Sequence, residues 1–368
     1  MNTPATDNLL NSDPFNFSTK SEKLFLESFK ENCFFHYDHH EFTKKLWDKF
    51  NFHPNQLRTE EDLSKVPGTM VHLFKENELC SVGREDLVLV LTSSGTGGQK
   101  SQQFLSQKSL DNVKKLALNI HHSLGMANKR KYNYLCFTYD PRIANDLGTA
   151  FTDELLTNFT DKKEVYYAIE WNEAIQDFKL NEQGVLSALE RFSKDDVPTR
   201  ILGFPALLFE MIEKYQIQIS LPEDSWLQTG GGWKGKADKE IPKQEFRKMI
   251  HQKLGIIPEN QRDLFGMVEH GIPYVDCSEG NLHIPNYARV FVRSPQNLEL
   301  LPKGEKGLLH FLCSYNFSYP APSLLTTDYG RLGSCTCGLD GDTLILEGRA
   351  GVNKHKGCAL KALEVIRG

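Results

Sequence analysis

The sequence lacks most of the signatures that assign a chain to a membrane, a secretory route or a nucleic acid. No apolar run approaches the roughly eighteen residues that a membrane-spanning helix needs. The first residues, MNTPATDNLLNSDPFNF, have neither the basic start nor the apolar centre of a secretory signal. Charge of either sign is not in large excess: 43 Lys and Arg stand against 48 Asp and Glu, a net −5, which argues against a nucleic-acid binder with a basic face. Internal repeats and low-complexity tracts are absent. Cysteine is sparse, with 8 residues scattered over 368. Without a secretion signal, reduced thiols in a cytoplasmic protein are expected, so any cysteine cluster points to metal or catalysis before a disulfide.

What is there alternates. Helical spacing predicts helix over residues 19 to 50, where Leu24, Phe25, Phe29, Phe34 and Phe35 recur among charges. The segment HYDHHEF in that stretch carries His36, His39 and His40; a polar helix end is the expected reading, with a metal site as the alternative. Asp62 to Pro67 reads as a turn. Leu87 to Leu91 reads as a buried strand, Ser109 to Leu124 as a helix with Ser109 as its cap, and Tyr132 to Thr138, Val165 to Ile169 and Arg200 to Phe204 as strands. Helical patterns at Asp146 to Asn158 and Glu182 to Ser193 separate them. This alternation predicts an α/β sheet with helices on its faces. From about residue 282 the chain turns to short strands, at Ala288 to Val292, Gly307 to Cys313 and Thr343 to Leu346, with Pro and Gly turns.

The segment after Leu87–Leu91 carries the strongest chemical signal. Thr92, Ser93, Ser94, Gly95, Thr96, Gly97, Gly98, Gln99 and Lys100 combine small residues with hydroxyls and one cation. Small residues let the backbone approach a polyphosphate, whose oxygens then accept from N–H groups, hydroxyls and the lysine. Neither the Walker order G-x-x-x-x-G-K-[ST] nor the dinucleotide fingerprint is present. Four later segments fit a nucleotide. Gly230, Gly231 and Gly232 form a second glycine loop after a strand. Phe265, Gly266, Met267, Val268 and Glu269 end in a carboxylate, and magnesium takes few protein carboxylates beside substrate phosphates and water. Thr326, Thr327 and Asp328 offer an acceptor for ribose hydroxyls, and Gly348 precedes Arg349.

The order of these segments resembles the adenylate-forming superfamily of acyl- and aryl-CoA ligases, from about residue 60 to 358. Within it the chain is most similar to the acyl-protein synthetases of the bacterial bioluminescence fatty-acid reductase system, which carry SSGT-G-x-KS and end shortly after a Gly-Cys pair; phenylacetate-CoA ligases are the next most similar. The resemblance implies a large adenylation domain of stacked β-sheets covered by helices, plus a β-rich subdomain. It implies a division into a helical segment at 1–60, an adenylation domain at 61–347 and a mobile tail at 348–368. It implies that Thr92 to Lys100 wrap the β- and γ-phosphates of ATP, that Glu269 holds Mg²⁺, that Asp328 binds the ribose hydroxyls and that Arg349 contacts ribose or phosphate. Val268 stands where the superfamily has Thr, and Gly351 where it often has a hinge Asp. CoA ligases continue into a cap domain with a catalytic lysine; here the usual cap is expected to be missing.

Cys358, in NKHKGCALK, sits among cations that favour thiolate. A helix over Ala359 to Ile366 would add a positive end, and Gly351 and Gly357 would let the tail swing. It matches the acylated cysteine of the bioluminescence synthetases. The implied reaction is activation of a fatty acid to acyl-AMP, then transfer to Cys358 as a thioester for a partner acyl reductase. Phe204 to Phe209, Tyr134 and Phe137 are candidates for the acyl groove, and core packing is their alternative. Cys277, His283, Cys335 and Cys337 make a Cys₃His set suited to a structural Zn²⁺; similar spacing occurs in some phenylacetate-CoA ligase relatives. Two competing readings stay open. One is an acyl- or aryl-CoA ligase whose cap is lost or separate; the other is a degenerate adenylate-binding subunit with no chemistry.

Overall fold

The structure is a computed structural model, described here for residues 2–92, 101–140, 148–173, 176–233 and 239–349. It divides into two compact units: Met1–Ile120, Met267–Ile272 and His283–Gly368 in the first, His121–Gly266 and Pro273–Leu282 in the second.

The second unit is built on a parallel sheet. Strands Asp161–Asn172, Lys131–Tyr139, Thr199–Gly203, Trp226–Gly230 and Gln261–Phe265 lie side by side in that order. Antiparallel Asp177–Leu180 and Tyr274–Asp276 flank them. Parallel neighbours need long crossovers, and helices Glu182–Ser193 and Pro205–Tyr215 supply them. Their apolar faces, with that of helix Lys243–Leu254, pack on the sheet around Leu135, Phe137, Ile201, Phe192, Met211 and Ile250. Asn181 caps the first of these helices by accepting from the Gly184 N–H at 2.9 Å. Tyr134 and Phe137 are fully buried on the central strand, and Pro205, Ala206 and Leu208 are buried at a helix start. These residues pack in the core, while Phe204, Leu207 and Phe209 of the same candidate stretch are only partly buried.

In the first unit, strands Ala288–Arg293, Gly307–Cys313, Ser323–Gly333 and Thr343–Arg349 form an antiparallel sheet. Gly307–Cys313 is buried along its whole length. Thr69–Met70 adds to Ser323–Gly333 in parallel, with Thr69 opposite Leu324 and Met70 opposite Leu325. Gly68 makes that approach possible, because a Cβ there would meet the Leu325 Cβ at 2.9 Å. Helix Thr19–His39 buries Phe25, Phe29, Cys33 and His36, at helical spacing. A separate ribbon joins Leu87–Thr92 to Gln102–Ser106. The first arm is not the buried strand its apolar run suggests: Leu91 is buried, but Val88 is 51% exposed. A two-stranded ribbon can leave one face of an all-apolar arm in solvent. Ser109 does not cap its helix either, since Gln107–Ser123 begins two residues earlier. Its hydroxyl instead accepts from the Phe317 N–H at 3.0 Å and bonds the Ser318 hydroxyl at 2.9 Å. Among the described residues no helix is long and apolar enough to cross a membrane.

Candidate functional site

Each unit contributes a set of candidate residues. In the second unit, adjacent parallel strands end side by side. Gly230 lies in register with Leu264, next to Phe265 and Gly266. Gly231 adopts φ +75°, and a Cβ there would strike the Phe204 ring at 2.7 Å. Gly203, at φ +116°, would strike the Phe137 carbonyl at 2.5 Å. The glycines are therefore required by close packing at the carboxyl ends of the strands, where open α/β sheets bind ligands. Thr229 donates to the Asp263 carboxylate at 2.8 Å and ties two of these ends together. Burial, with the charge of Asp276 beside it, pushes the Asp263 carboxyl up to about 6.

In the first unit, the chain turns tightly at Met267, whose carbonyl accepts from the His270 and Gly271 N–H groups at 3.1 and 2.8 Å. The turn directs Glu269 inward; only 8% of it is exposed. The Ser101 hydroxyl, just beyond the glycine-rich segment, donates to its carboxylate. Gln103, His270, Tyr315 and Tyr319 line a narrow crevice with Glu269, too tight to hold a water molecule. The Gln103 amide donates to the Tyr315 hydroxyl at 2.7 Å. A single buried carboxylate with neutral hydroxyl neighbours is the kind of protein ligand magnesium accepts while phosphates and water fill its other positions.

Asp328 and Arg349 face each other across two antiparallel strands, with a bulge directly after Asp328. The guanidinium donates through Nε to Oδ1 at 2.8 Å and through Nη2 to Oδ2 at 3.5 Å. The Thr326 hydroxyl accepts from the Asp328 N–H at 3.2 Å and donates to the Leu309 carbonyl at 2.9 Å, fixing the backbone. The bond to Asp328 raises the Arg349 pKa, and the Glu269 charge adds to the effect. Glu269, Asp328 and Arg349 thus share one electrostatic neighbourhood. Two residues there carried no sequence signal: His72, which feels both Arg349 and Glu269, and Tyr319, which feels Glu269. Ser93, Ser94, Gly95, Thr96, Gly97, Gly98 and Lys100, and likewise Cys358, lie outside the described residues.

The histidine-rich helix end is structural. His36 is buried with both ring nitrogens bonded, His39 stacks on Phe35, and His40 caps helix Glu41–Lys49 by accepting from the Thr43 N–H. A different cluster suits a metal. His283, Cys335 and Cys337 of the first unit bring their ligand atoms within 4.8 Å of one another, with His283 Nε2 3.3 Å from the Cys337 sulfur. Tetrahedral zinc places such a pair about 3.6 Å apart, so the three fit that ion. Cys277 is buried in the second unit, six positions before His283, and its N–H donates to the Asn281 carbonyl across a tight turn.

Other cysteines are poor nucleophiles. Burial pushes the Cys33 and Cys136 thiols well up and that of Cys313 to about 12. Half-buried Cys80 is also raised.

Comparison with known proteins agrees with this geometry. Two curated relatives are named long-chain-fatty-acid–luciferin-component ligase. The one from Aliivibrio fischeri is 25% identical over 94% of this chain and 88% of its own. The one from Vibrio harveyi is 24% identical over 82% and 78%. Among solved structures, an open conformation of 2-hydroxyisobutyryl-CoA ligase in complex with 2-HIB-AMP and CoA aligns at TM-score 0.70 and 14% identity, over 94% of this chain and 79% of that one. The same ligase in its thioesterification state aligns at 0.67 and 15%, over 92% and 70%. These likenesses establish the fold as that of adenylate-forming ligases. The family model described as "Acyl-protein synthetase, LuxE" matches residues 2–366, and the chain belongs to that family.

Proposed function

We propose that this chain is an AMP-forming long-chain fatty acid–protein ligase acting in the cytoplasm. The carboxylate oxygen of the acid attacks the α-phosphorus of ATP. The acyl–phosphate bond forms as the bridging P–O bond breaks, and pyrophosphate leaves. The Cys358 thiolate, its proton already lost to solvent, then attacks the acyl carbon; the C–S bond forms, the C–O bond breaks and AMP leaves. The thioester is handed to a partner acyl reductase.

The observation that carries this reading is the convergence of buried Glu269 with Asp328 and Arg349, beside the end of the glycine-rich segment at Ser101. In it, Glu269 would hold Mg²⁺, which offsets charge on the phosphates. Asp328 accepts from the ribose hydroxyls, Arg349 neutralises phosphate charge, and Lys100 with residues Ser93–Gly98 surrounds the β- and γ-phosphates. Gly230, Gly231, Gly232, Phe265, Gly266 and Met267 are the residues assigned to the adenosine in this proposal. The raised thiols of the buried cysteines support Cys358 as the acceptor. The division into 1–60, 61–347 and 348–368 is retained as part of the reading, with the tail delivering Cys358. Cys277, His283, Cys335 and Cys337 would hold a structural Zn²⁺ as a closed set.

ATP–pyrophosphate exchange with a panel of carboxylic acids tests the chemistry. Exchange that peaks with long-chain fatty acids is expected, and Cys358→Ser should keep exchange while losing covalent labelling by fatty acid. CoA-dependent AMP release that survives Cys358→Ser would instead favour a CoA ligase. Nucleotide binding with no exchange would reduce the chain to a binding subunit. Metal analysis after chelation of loosely bound ions should return close to one equivalent of zinc.

A further inference from the structure

His72 follows the short strand Thr69–Met70. The Val71 N–H continues the pairing by donating to the Leu325 carbonyl at 2.9 Å. The chain then turns, and His72 follows directly as the residue before helix Leu73–Glu76. Its neighbours Val71 and Phe74 are buried in a cluster with Tyr319, and Met267 packs against the same cluster. The chain on both sides of His72 is therefore anchored to the elements that carry Glu269 and Asp328.

The imidazole makes no capping or other side-chain hydrogen bond among the described residues. It stands at the N-cap of helix Leu73–Glu76 but makes no capping bond. Its Nδ1 is buried and has no hydrogen-bond partner among the described residues. A buried polar atom without a partner costs about 1–3 kcal/mol, so such an atom calls for an explanation. Burial and the Lys75 charge lower its pKa, and opposing contributions from Arg349 and Glu269 place both within its electrostatic reach. The ring thus favours its neutral form, with a cation and a carboxylate both within electrostatic reach.

We propose that His72 is a phosphate-binding residue of the nucleotide site, donating from Nδ1 to a phosphate oxygen held between Arg349 and Glu269. The proposal rests on the adenylation reading of that site and adds a residue to it. Because the atom concerned is Nδ1, an Asn side chain can place an amide N–H near the same point, whereas Gln reaches toward Nε2 and Ala supplies nothing.

The test measures pyrophosphate exchange, equilibrium binding of a non-hydrolysable ATP analogue with Mg²⁺, and thermal melting for the full chain and for His72→Ala, His72→Gln and His72→Asn. Expected is a ten-fold or greater weakening of analogue binding and of exchange kcat/KM in Ala and Gln. Asn should stay within about three-fold of the parent, and all four proteins should melt within a few degrees of one another. Analogue binding by His72→Ala within two-fold of the parent would overturn the proposal. So would losses that follow the melting temperature, or Asn behaving like Ala. If the parent binds the analogue but exchanges with no acid, the adenylation reading fails on its own, and the binding series still decides His72.

Discussion

Two buried polar regions of the first unit lie along the same stretch of chain, residues 314–319, and they differ in how fully their hydrogen bonds are made. Around Asn316 the network is nearly closed. The Asn316 carbonyl can only accept, so His36 donates from Nε2 at 2.9 Å, and its Nδ1 accepts from the Ser81 hydroxyl at 2.8 Å. Asn32 donates to the same carbonyl at 2.8 Å, and the Asn316 side chain accepts from the Ser318 and Tyr319 N–H groups at 2.9 and 3.1 Å. One acceptor there, Asn32 Oδ1, has no partner among the described residues. Around Glu269 the arrangement is open. The carboxylate has the Ser101 hydroxyl, but the Tyr319 hydroxyl and His72 Nδ1 are buried without partners among the described residues. A closed network holds helix Thr19–His39 on the sheet. An open one, beside a carboxylate, leaves polar atoms whose partners a bound ligand would supply under the proposed function. Breaking the first should cost stability and spare chemistry; breaking the second should do the reverse.

The largest effect belongs to Glu269. Replacing it by Gln keeps the shape and an acceptor for Ser101 but removes the charge that would hold Mg²⁺. Pyrophosphate exchange should fall by about 10²–10³, the range for losing one preorganised electrostatic group, with a melting temperature near that of the parent. Exchange within ten-fold of the parent would remove Glu269 from the chemistry.

The closed network is tested by His36→Leu. It strands the Ser81 hydroxyl and takes one of two donors from the Asn316 carbonyl, at about 2–3 kcal/mol of stability near neutral pH, with exchange per folded molecule unchanged. Acid adds a second readout. Burial lowers the His36 pKa to about 3, so the folded ring stays neutral while the unfolded one takes up a proton below its ordinary 6.5. The neutral form is fully favoured above pH 6.5, and its contribution falls by about 1.4 kcal/mol per unit as pH drops toward 3. Leu has no proton to gain, so the gap between parent and variant should narrow by that slope in denaturant titrations at pH 7, 6 and 5. A constant gap would mean the ring is not held neutral.

The same contrast explains what was legible in the sequence. Strong periodicity gave Glu182–Ser193 and Gly307–Cys313 their observed bounds, because one buries a helical stripe and the other is buried on both faces. Leu87–Leu91 misled because an all-apolar alternation cannot say whether a second layer covers it. Glu269, Asp328 and Arg349 stood out only through the order of their segments; singly, each reads as a turn or strand-edge residue. His72 and Tyr319 were silent, since one His or Tyr within an apolar stretch reads as core. Partner assignment, which separates a satisfied core histidine such as His36 from an open one, requires coordinates.

A smaller effect is expected at the exposed edge of the site. Asp328→Asn releases Arg349, whose side chain is 58% exposed, so the ion pair itself contributes little to stability. Loss of a charged acceptor for ribose should raise KM for ATP by about ten-fold, near 1.4 kcal/mol, with kcat changed less. A fall in kcat at constant KM would place Asp328 at the reacting phosphate instead.

Tyr319→Phe should have the smallest effect, and its sign is the informative part. The hydroxyl is fully buried, and burial, with the charge of Glu269 adding to it, keeps it protonated well above its ordinary range. In the free protein it has no partner among the described residues, so removing it deletes an unsatisfied polar atom while the ring keeps its contacts with Phe74 at 4.8 Å. Stability should therefore hold or rise, by up to about 1 kcal/mol. If the hydroxyl is there for the occupied site, exchange should nonetheless fall by a few-fold. A protein that is more stable and less active would confirm that the open network is kept for a ligand. A protein less stable by 1 kcal/mol or more, with unchanged exchange, would show that the hydroxyl belongs to the closed network after all, and the division between the two regions would have to be drawn on the other side of Tyr319.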